Sequence, residues 1–303
     1  MLVTFRQKSI NTDCQSLIRR KTMLQEPMKS EHRTTEQVRE HYEIEKDLAI
    51  RLRNASKQER RHLYSSLYNE MYQRVPHHPQ LTQKSSHQRT LAAVSAQIKL
   101  FKHLLGKEIT FLEVGPGDCA LSLEVTKYVK QVYAVDVSDE ITKDLTPPKN
   151  FRLILSDGCN IPVPQNSVDV AYSHQLMEHL HPNDAFEQLQ NIYNVLTPGG
   201  IYICITPNRL SGPHDISKYF DTMASGFHLK EYTVSELSNL FKKVGFSKLR
   251  VRVGARGIYT SIPVFPLVLC EKFLCAFPYT FRKPIAASFP FRLLLGIRLV
   301  GIK

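Results

Sequence analysis

FLEVGPGDCALS, residues Phe111 to Ser122, runs from an apolar β-rich segment through Gly115 and Gly117 into a helical pattern. Glycines between a first strand and its helix let the backbone approach a ligand closely and turn into the helix N-terminus. That order of elements makes the stretch a nucleotide loop. Gly115-x-Gly117-x-x-Ala120 also satisfies a permissive dinucleotide pattern, with Asp136 ending the next strand to take ribose hydroxyls. On the glycines alone, a nicotinamide dinucleotide stays open as the ligand.

Outward from the loop, short β-rich runs alternate with helical ones. TFLEVG, QVYAVDV, FRLILSD, VDVAYSH, GIYICITP and KLRVRVG read as strands; ALSLEVTKYV, DAFEQLQNIYNVL and VSELSNLFKKVG read as helices. Runs dense in Val, Ile and Leu suit strands buried on both faces of a parallel sheet, and the alternation predicts a doubly wound α/β fold. Residues 1–30 show no periodicity and are expected to be disordered. Residues 31–106 read as a helical N-terminal cap, with S/T-x-x-E/Q capping boxes at Thr34–Gln37 and Ser56–Glu59. Residues 107–303 form the nucleotide-binding domain. Within it, 258–291 is an apolar, aromatic, proline-broken insert, and the chain closes in LLGIRLVGIK, which alternates like a last strand.

Four features discriminate between cofactors. Glu113, two residues before Gly115, puts an acid where a dinucleotide loop needs an apolar strand end, and so suits a cofactor carrying positive charge. Asp157-Gly158 follows the third strand, where a carboxylate can accept from an adenine amino group. VDVAYSHQLMEHL places Ser173 and His174 at a strand's carboxyl end, the edge at which open α/β sheets bind ligands. NVLTPGGIYICITPN reads as a helix ended by Pro198-Gly199-Gly200 and leading into another buried strand.

With these motifs in this order, residues 108–253 and the final strand resemble the class I S-adenosylmethionine-dependent methyltransferases. The likeness is to the broad small-molecule type that includes the ubiquinone-biosynthesis O-methyltransferases. The resemblance implies an α/β, Rossmann-like, doubly wound seven-stranded sheet, mostly parallel with an antiparallel last strand. It implies S-adenosylmethionine as methyl donor. Gly115 and Gly117 would line the methionine part, Glu113 would support its amino end, Asp136 would take both ribose hydroxyls, and Asp157 with the Gly158 backbone would read the adenine. Ser173 or His174 would contribute main-chain contacts beside the sulfonium. Cys119 replaces the third glycine of the family's loop; being small and at a helix start, it is expected to be tolerated.

A sulfonium methyl is already electrophilic, so the protein chiefly aligns an acceptor, and a hydroxyl acceptor also needs a base. His174, His179, His214 and His228 are the candidate bases or acceptor contacts, and PNRLSGPHDISKYFDTMASGFHLKEYT is too long for an idle connection. Its His214 and Asp215 are candidates to hold acceptor hydroxyls. The ubiquinone-type enzymes and small-RNA 2′-O-methyltransferases carry E-x-x-E-H and a later His that bind a divalent metal. Glu178, His179 and His228 match, but Gln175 replaces the first acid, which weakens a hard-cation site, and no metal is expected.

The chain is basic, with net charge +12 and pI near 9.4, yet Lys and Arg are spread without a run of five. No RNA-binding signature accompanies them, so nucleic acid is not expected as partner. The expected acceptor is a small molecule, free or linked to glycan or lipid, methylated at oxygen. The alternatives are an RNA methyltransferase and a non-catalytic methyltransferase-like binding module. Six scattered cysteines without CxxC pairs, and the lack of a signal-like or spanning apolar run, place the protein in the cytoplasm by expectation. In residues 258–303 six basic residues face one acid, Glu271, giving the insert a basic amphipathic character suited to peripheral membrane contact.

Overall fold

The computed structural model describes residues 33–82, 87–138, 142, 146–255 and 257–303. The segment 1–30 lies outside the described residues. A mixed sheet forms the centre, in the order β3-β2-β1-β4-β5-β8-β6-β7. Strands β1 (Thr110–Val114), β2 (Gln131–Asp136), β3 (Phe151–Leu155), β4 (Val168–His174) and β5 (Leu196–Thr206) pair in parallel. The last strand, β8 (Ile297–Ile302), inserts antiparallel between β5 and β6 (Lys248–Ala255).

The sheet has eight strands where seven were expected. The extra one is β7 (Ile258–Pro263), which pairs antiparallel with β6 at the edge. Gly254 and Gly257, at φ 149° and 90°, turn the chain into this hairpin, a geometry that side chains with a Cβ resist. The prolines that made 258–291 read as one insert do not prevent pairing: Pro263 ends an edge strand, where its missing N–H goes unneeded. The helical part of the insert therefore begins later. A second difference concerns Pro198-Gly199-Gly200, which lies inside β5 as a bulge, the register passing from Val168↔Leu196 to Val170↔Ile201.

The N-terminal helices divide between the two faces. Helices α1 (Thr35–Asn54) and α2 (Lys57–Arg74) begin with the capping boxes read from the sequence, at Thr34 and Ser56. With α6 (Pro182–Val195) and α7 (Val234–Val244) they bury Leu48, Leu52, Leu67 and Met71 on the core of Leu112, Val114, Ala171 and Tyr202. After the short α3 (Pro79–Thr82), α4 (His87–Phe101) crosses to the opposite face. There Phe101 packs with α5 (Ala120–Val125), Phe111 and Tyr172. The insert contributes α8 (Val264–Cys275), α9 (Tyr279–Ala287) and α10 (Phe289–Leu295), which close over Leu210 through Leu274, Ala286 and Leu295.

Helix α1 also fixes the long segment between β5 and α7. Arg53 donates to the carbonyls of Ser225, Gly226 and His228 at 2.9, 3.0 and 3.2 Å. Buried Glu45 accepts from Phe227 N at 2.8 Å, and Tyr42 stacks on Phe220 while donating to Asp221. A 27-residue connection is thus bound at several points to a rigid helix.

Candidate active site

The glycine loop sits at the carboxyl ends of β1 and β2. Gly115 and Gly117 take φ 70° and 57°; a Cβ at Gly115 would press on Leu176, whereas one at Gly117 would meet open space. Asp136 Oδ2 accepts from Gly117 N at 3.1 Å and Oδ1 from Val137 N at 2.7 Å. Its side chain therefore rests against the loop backbone, and burial pushes its carboxyl up against those two donors. Cys119 keeps the backbone of the glycine it replaces, at φ 57° in the left-handed region, which costs a residue with a Cβ about 1–2 kcal/mol. Its thiol is fully buried and is pushed up to about 12 by burial, so it is a packing group rather than a nucleophile.

Glu113 lies under the loop, donated to by Ser122 Oγ of α5 at 2.5 Å. Burial lifts its carboxyl to about 8, against that hydrogen bond. A buried cationic group placed beside it would restore the carboxylate. Asp157 Oδ1 accepts from the backbone of Cys159 and Asn160 at 3.0 and 2.8 Å, and Arg61 of α2 lies 3.4 Å from Oδ2. Gly158, at φ 87°, approaches the ring of Tyr64, also from α2, so closely that a Cβ would reach it at 3.0 Å. Helix α2 thus closes the β3 end of the edge, a contribution of Arg61 and Tyr64 that the sequence patterns did not reveal. Ser173 points away from it: its hydroxyl is buried and 2.7 Å from that of Tyr202, so only its main chain faces the edge.

Beside this edge, at the ends of β4 and β5, lies a cavity of about 540 Å³. His174, Gln175, Thr206, Asn208, Ser211, His214 and Tyr259 line it, with Gln97 from α4 and Arg292 and Arg298 from the C-terminal segment. The four candidate histidines separate here. His174 and His214 reach the cavity; His179 and His228 do not line it. His174 is held towards its neutral form by burial and by the charge of Arg298, and its Nδ1 lies 3.4 Å from Gln97 Nε2. His214 is set by buried Glu231, whose Oε2 is 3.3 Å from Nδ1 and whose Oε1 accepts from His214 N at 2.7 Å. Its other nitrogen, Nε2, lies 3.2 Å from Ser211 Oγ.

Glu231 is the carboxylate the sequence reading passed over. Burial would raise it, but hydrogen bonds from His214 and His228 outweigh that and hold it down at about 2. His228 is opposed by burial yet pulled above its ordinary value by Glu231, 2.8 Å away, and by Glu178. His179 is half-buried, with Nδ1 2.8 Å from Tyr68 Oη and 3.2 Å from the Phe227 carbonyl oxygen, and its partial desolvation depresses it to about 3. Asp215 is likewise consumed internally, accepting from Gly226 N and the Ser217 hydroxyl. Glu178, His179 and His228 do come together, with ligand atoms within 4.8 Å, and one oxygen of Glu178 is buried without a partner. That donor set fits a divalent cation. Gln175, in the place of the missing acid, lines the cavity instead.

Residues 112–204 match the family model described as "Methyltransferase domain". The chain is 29% identical over 150 residues to a probable S-adenosylmethionine-dependent methyltransferase of Mycolicibacterium smegmatis, covering 49% of this chain and 55% of that protein. A probable S-adenosylmethionine-dependent methyltransferase of Mycobacterium tuberculosis is 28% identical over 136 residues, covering 45% and 47%. The chain thus spans about half the length of these curated relatives. Among solved structures, a SAM-dependent methyltransferase from Archaeoglobus fulgidus is 16% identical, with TM-score 0.48, covering 71% of this chain and 94% of that one.

Proposed function

We propose that this chain is a class I S-adenosylmethionine-dependent methyltransferase, a reading supported by the match of residues 112–204 to the methyltransferase-domain model, and that it transfers the donor's methyl to an oxygen of a small acceptor, free or linked to glycan or lipid. The observation that carries this reading is the pairing of two adjacent spaces along one sheet edge. The loop of Gly115 and Gly117 with Asp136, Asp157 and Gly158 holds the donor. The cavity at the ends of β4 and β5 holds the acceptor, with His174 and His214 in its wall.

In the transfer, the acceptor oxygen attacks the methyl carbon, the carbon–sulfur bond breaks, and its electron pair leaves on sulfur as a neutral thioether. The proton of the acceptor hydroxyl goes to His214 Nε2, because Glu231 engages Nδ1 and leaves Nε2 facing Ser211 and the cavity. His174, kept neutral, offers the opposite wall a second hydrogen-bonding group. A divalent cation held by Glu178, His179 and His228 would sit behind the cavity rather than in its wall, and would supply Lewis-acid chemistry only to a group that reaches those residues. Without one, a proton on His228 ties Glu178 to Glu231.

Asp136→Ala is expected to weaken binding of S-adenosylhomocysteine by about 100-fold in calorimetry, since two hydrogen bonds to a charged group together contribute roughly 3 kcal/mol. Wild-type protein that binds NAD and not S-adenosylhomocysteine would overturn the reading. Activity is then sought with labelled methyl donor across small metabolites, glycans and lipids.

Lipid-linked acceptors gain support from the insert. Phe265, Leu269 and Phe273, at i, i+4 and i+8, form an exposed stripe on α8, and Phe281 and Phe289 are 64% and 65% exposed beside it. The lone acid Glu271 turns inward, accepting from the N–H groups of Val234 and Ser235 at 2.6 and 2.9 Å, so Lys272, Arg282 and Lys283 act without a compensating charge on the outside. No helix among the described residues is long and apolar enough to cross a membrane, so contact would be interfacial. Each basic residue near an anionic surface contributes roughly 1 kcal/mol. Reversing the charge at Lys272, Arg282 and Lys283 is therefore expected to cut sedimentation with phosphatidylserine vesicles by about 100-fold or more. Wild-type protein that stays in the supernatant removes the membrane from the account.

A further inference from the structure

The cavity beside the loop carries an unusual charge pattern. Two guanidiniums and two imidazoles line it, and no carboxylate does among the described residues. Neither Arg292 nor Arg298 makes an ion pair with a described residue, and the nearby acids Glu231 and Glu271 are engaged elsewhere, by His214 and by the Val234 N–H. Arg298 is the sharper case, because its Nη1 is buried and has no hydrogen-bond partner. A buried guanidinium donor left unsatisfied is costly and calls for an occupant.

Register explains how it reached that position. His174 of β4 pairs with Ile205 of β5, and Ile205 pairs with Arg298 of β8, so the three residues lie side by side and share one face of the sheet. Because β8 is antiparallel, its beginning coincides with the carboxyl ends of β4 and β5, where the methyl group is delivered. Tyr259 of β7 lies against the guanidinium, 5.7 Å from ring centroid to carbon, and steadies its plane. Arg292, exposed on α10, stands at the same cavity's mouth.

We propose that this cavity selects an acceptor bearing a phosphate group, bound by Arg298 with Arg292 at the entrance. Two guanidiniums without a neighbouring acid match the charge of a phosphate monoester, about −1.5 to −2, and present the planar fork that engages its oxygens in pairs. The inference rests on the methyl-transfer reading for what the pocket serves, and on Arg298 and the cavity alone for what it binds. A phosphate held there would place the acceptor between His174 and His214. It would also neutralise the charge that disfavours protonation of His174.

The test uses the full chain with inorganic phosphate, glycerol 3-phosphate, and vesicles of phosphatidylcholine with or without phosphatidic acid. Binding is followed by calorimetry and by the ring resonances of His174, in wild type, Arg298→Met, Arg298→Lys and Arg292→Gln. Wild type is expected to bind with His174 shifting, Arg298→Met to lose at least tenfold in affinity, and Arg298→Lys and Arg292→Gln to fall between. Binding of the soluble esters identifies a free phosphate compound; binding confined to phosphatidic acid vesicles identifies a lipid headgroup. Both support the proposal if they depend on Arg298. Absence of binding, or affinity indifferent to Arg298, overturns it. If Arg298→Met does not fold, the Lys variant and the His174 shift in wild type still decide. S-adenosylhomocysteine binding is measured in parallel, so that a protein taking the donor product but no phosphate ends this inference and leaves the methyl-transfer reading standing.

Discussion

Asp184→Ala is expected to lower stability by about 3–5 kcal/mol, the cost of leaving a buried charge without its partner. Asp184 receives Arg60 as a fork, Nε to Oδ2 at 2.6 Å and Nη2 to Oδ1 at 2.7 Å, and the Tyr64 hydroxyl at 2.7 Å. Arg60 and Asp184 are 4% and 1% exposed, so solvent screens little of the interaction. The acid also stands in the first turn of α6, where the helix dipole favours it. In the variant, Arg60 retains only the Ala55 carbonyl. The melting temperature should fall on the order of 10 °C. Asp184→Asn, which keeps one acceptor, should fall less. A melt of Asp184→Ala within a degree of wild type would refute the account.

The pH dependence of this pair has a definite sign. Burial alone would raise the Asp184 carboxyl, but the hydrogen bonds from Arg60 and Tyr64 hold it below its ordinary value. The stabilisation is therefore fully present above the unfolded pKa of about 3.9 and is lost as pH falls through the lower folded value. Wild type and Asp184→Ala should converge in acid and diverge towards neutrality. The loss should also reach the edge proposed to bind the donor, because Arg60 belongs to the helix that holds Tyr64 against Gly158 and Arg61 near Asp157.

Much of this was legible before any coordinates. Local signals sufficed where the chemistry is local. The boxes at Thr34 and Ser56 fixed two helix starts, the run VDVAYSH gave β4 to the residue, and the glycines marked a loop whose φ values are indeed positive. Pairing was less legible, because it depends on partners distant in the chain. GIRLV alternates like any edge-facing strand, and nothing within it says that Arg298 will lie beside Ile205 and His174. The same limit hid Tyr64, which meets Gly158 across about ninety residues of sequence. Prolines misled in one place: IYTSIP was absorbed into an insert although its single proline terminates a strand. Among the histidines, sequence alone could not separate the two in the cavity from the two behind it. One clue was present, since Glu231 follows His228 at i+3 and pairs with it.

His214→Ala is expected to lower kcat by roughly 10²–10⁴-fold, the usual contribution of a positioned general base, while leaving S-adenosylhomocysteine affinity within about twofold. The separation follows from geometry, because His214 lines the cavity proposed for the acceptor and is not among the residues of the glycine loop or its Asp136 and Asp157 partners. Measurement needs the acceptor returned by the labelled-donor screen, with full pH profiles of kcat. Added imidazole should restore part of the rate lost in His214→Ala. Glu231→Gln should behave as a weaker version, since the amide removes the charge that stabilises the imidazolium formed during transfer. Glu231 also accepts from His228, so its variant is read through the pH profile and not through rate alone. Gly212 gives that assignment a structural cross-check, because a Cβ there would collide with the Glu231 carboxylate. The same Cβ would lie 2.9 Å from His214 Nδ1, so Gly212→Ala should lower kcat in the same direction by disturbing the Glu231–His214 pair as a whole. The opposite pattern, with His174→Ala losing kcat and His214→Ala losing only acceptor affinity, would exchange the two roles. Such an exchange has a physical basis, since burial and Arg298 already hold His174 in the neutral form that accepts a proton. What favours His214 is orientation: a buried carboxylate fixes which nitrogen is free, whereas the Gln97 amide at 3.4 Å can turn either its nitrogen or its oxygen towards His174.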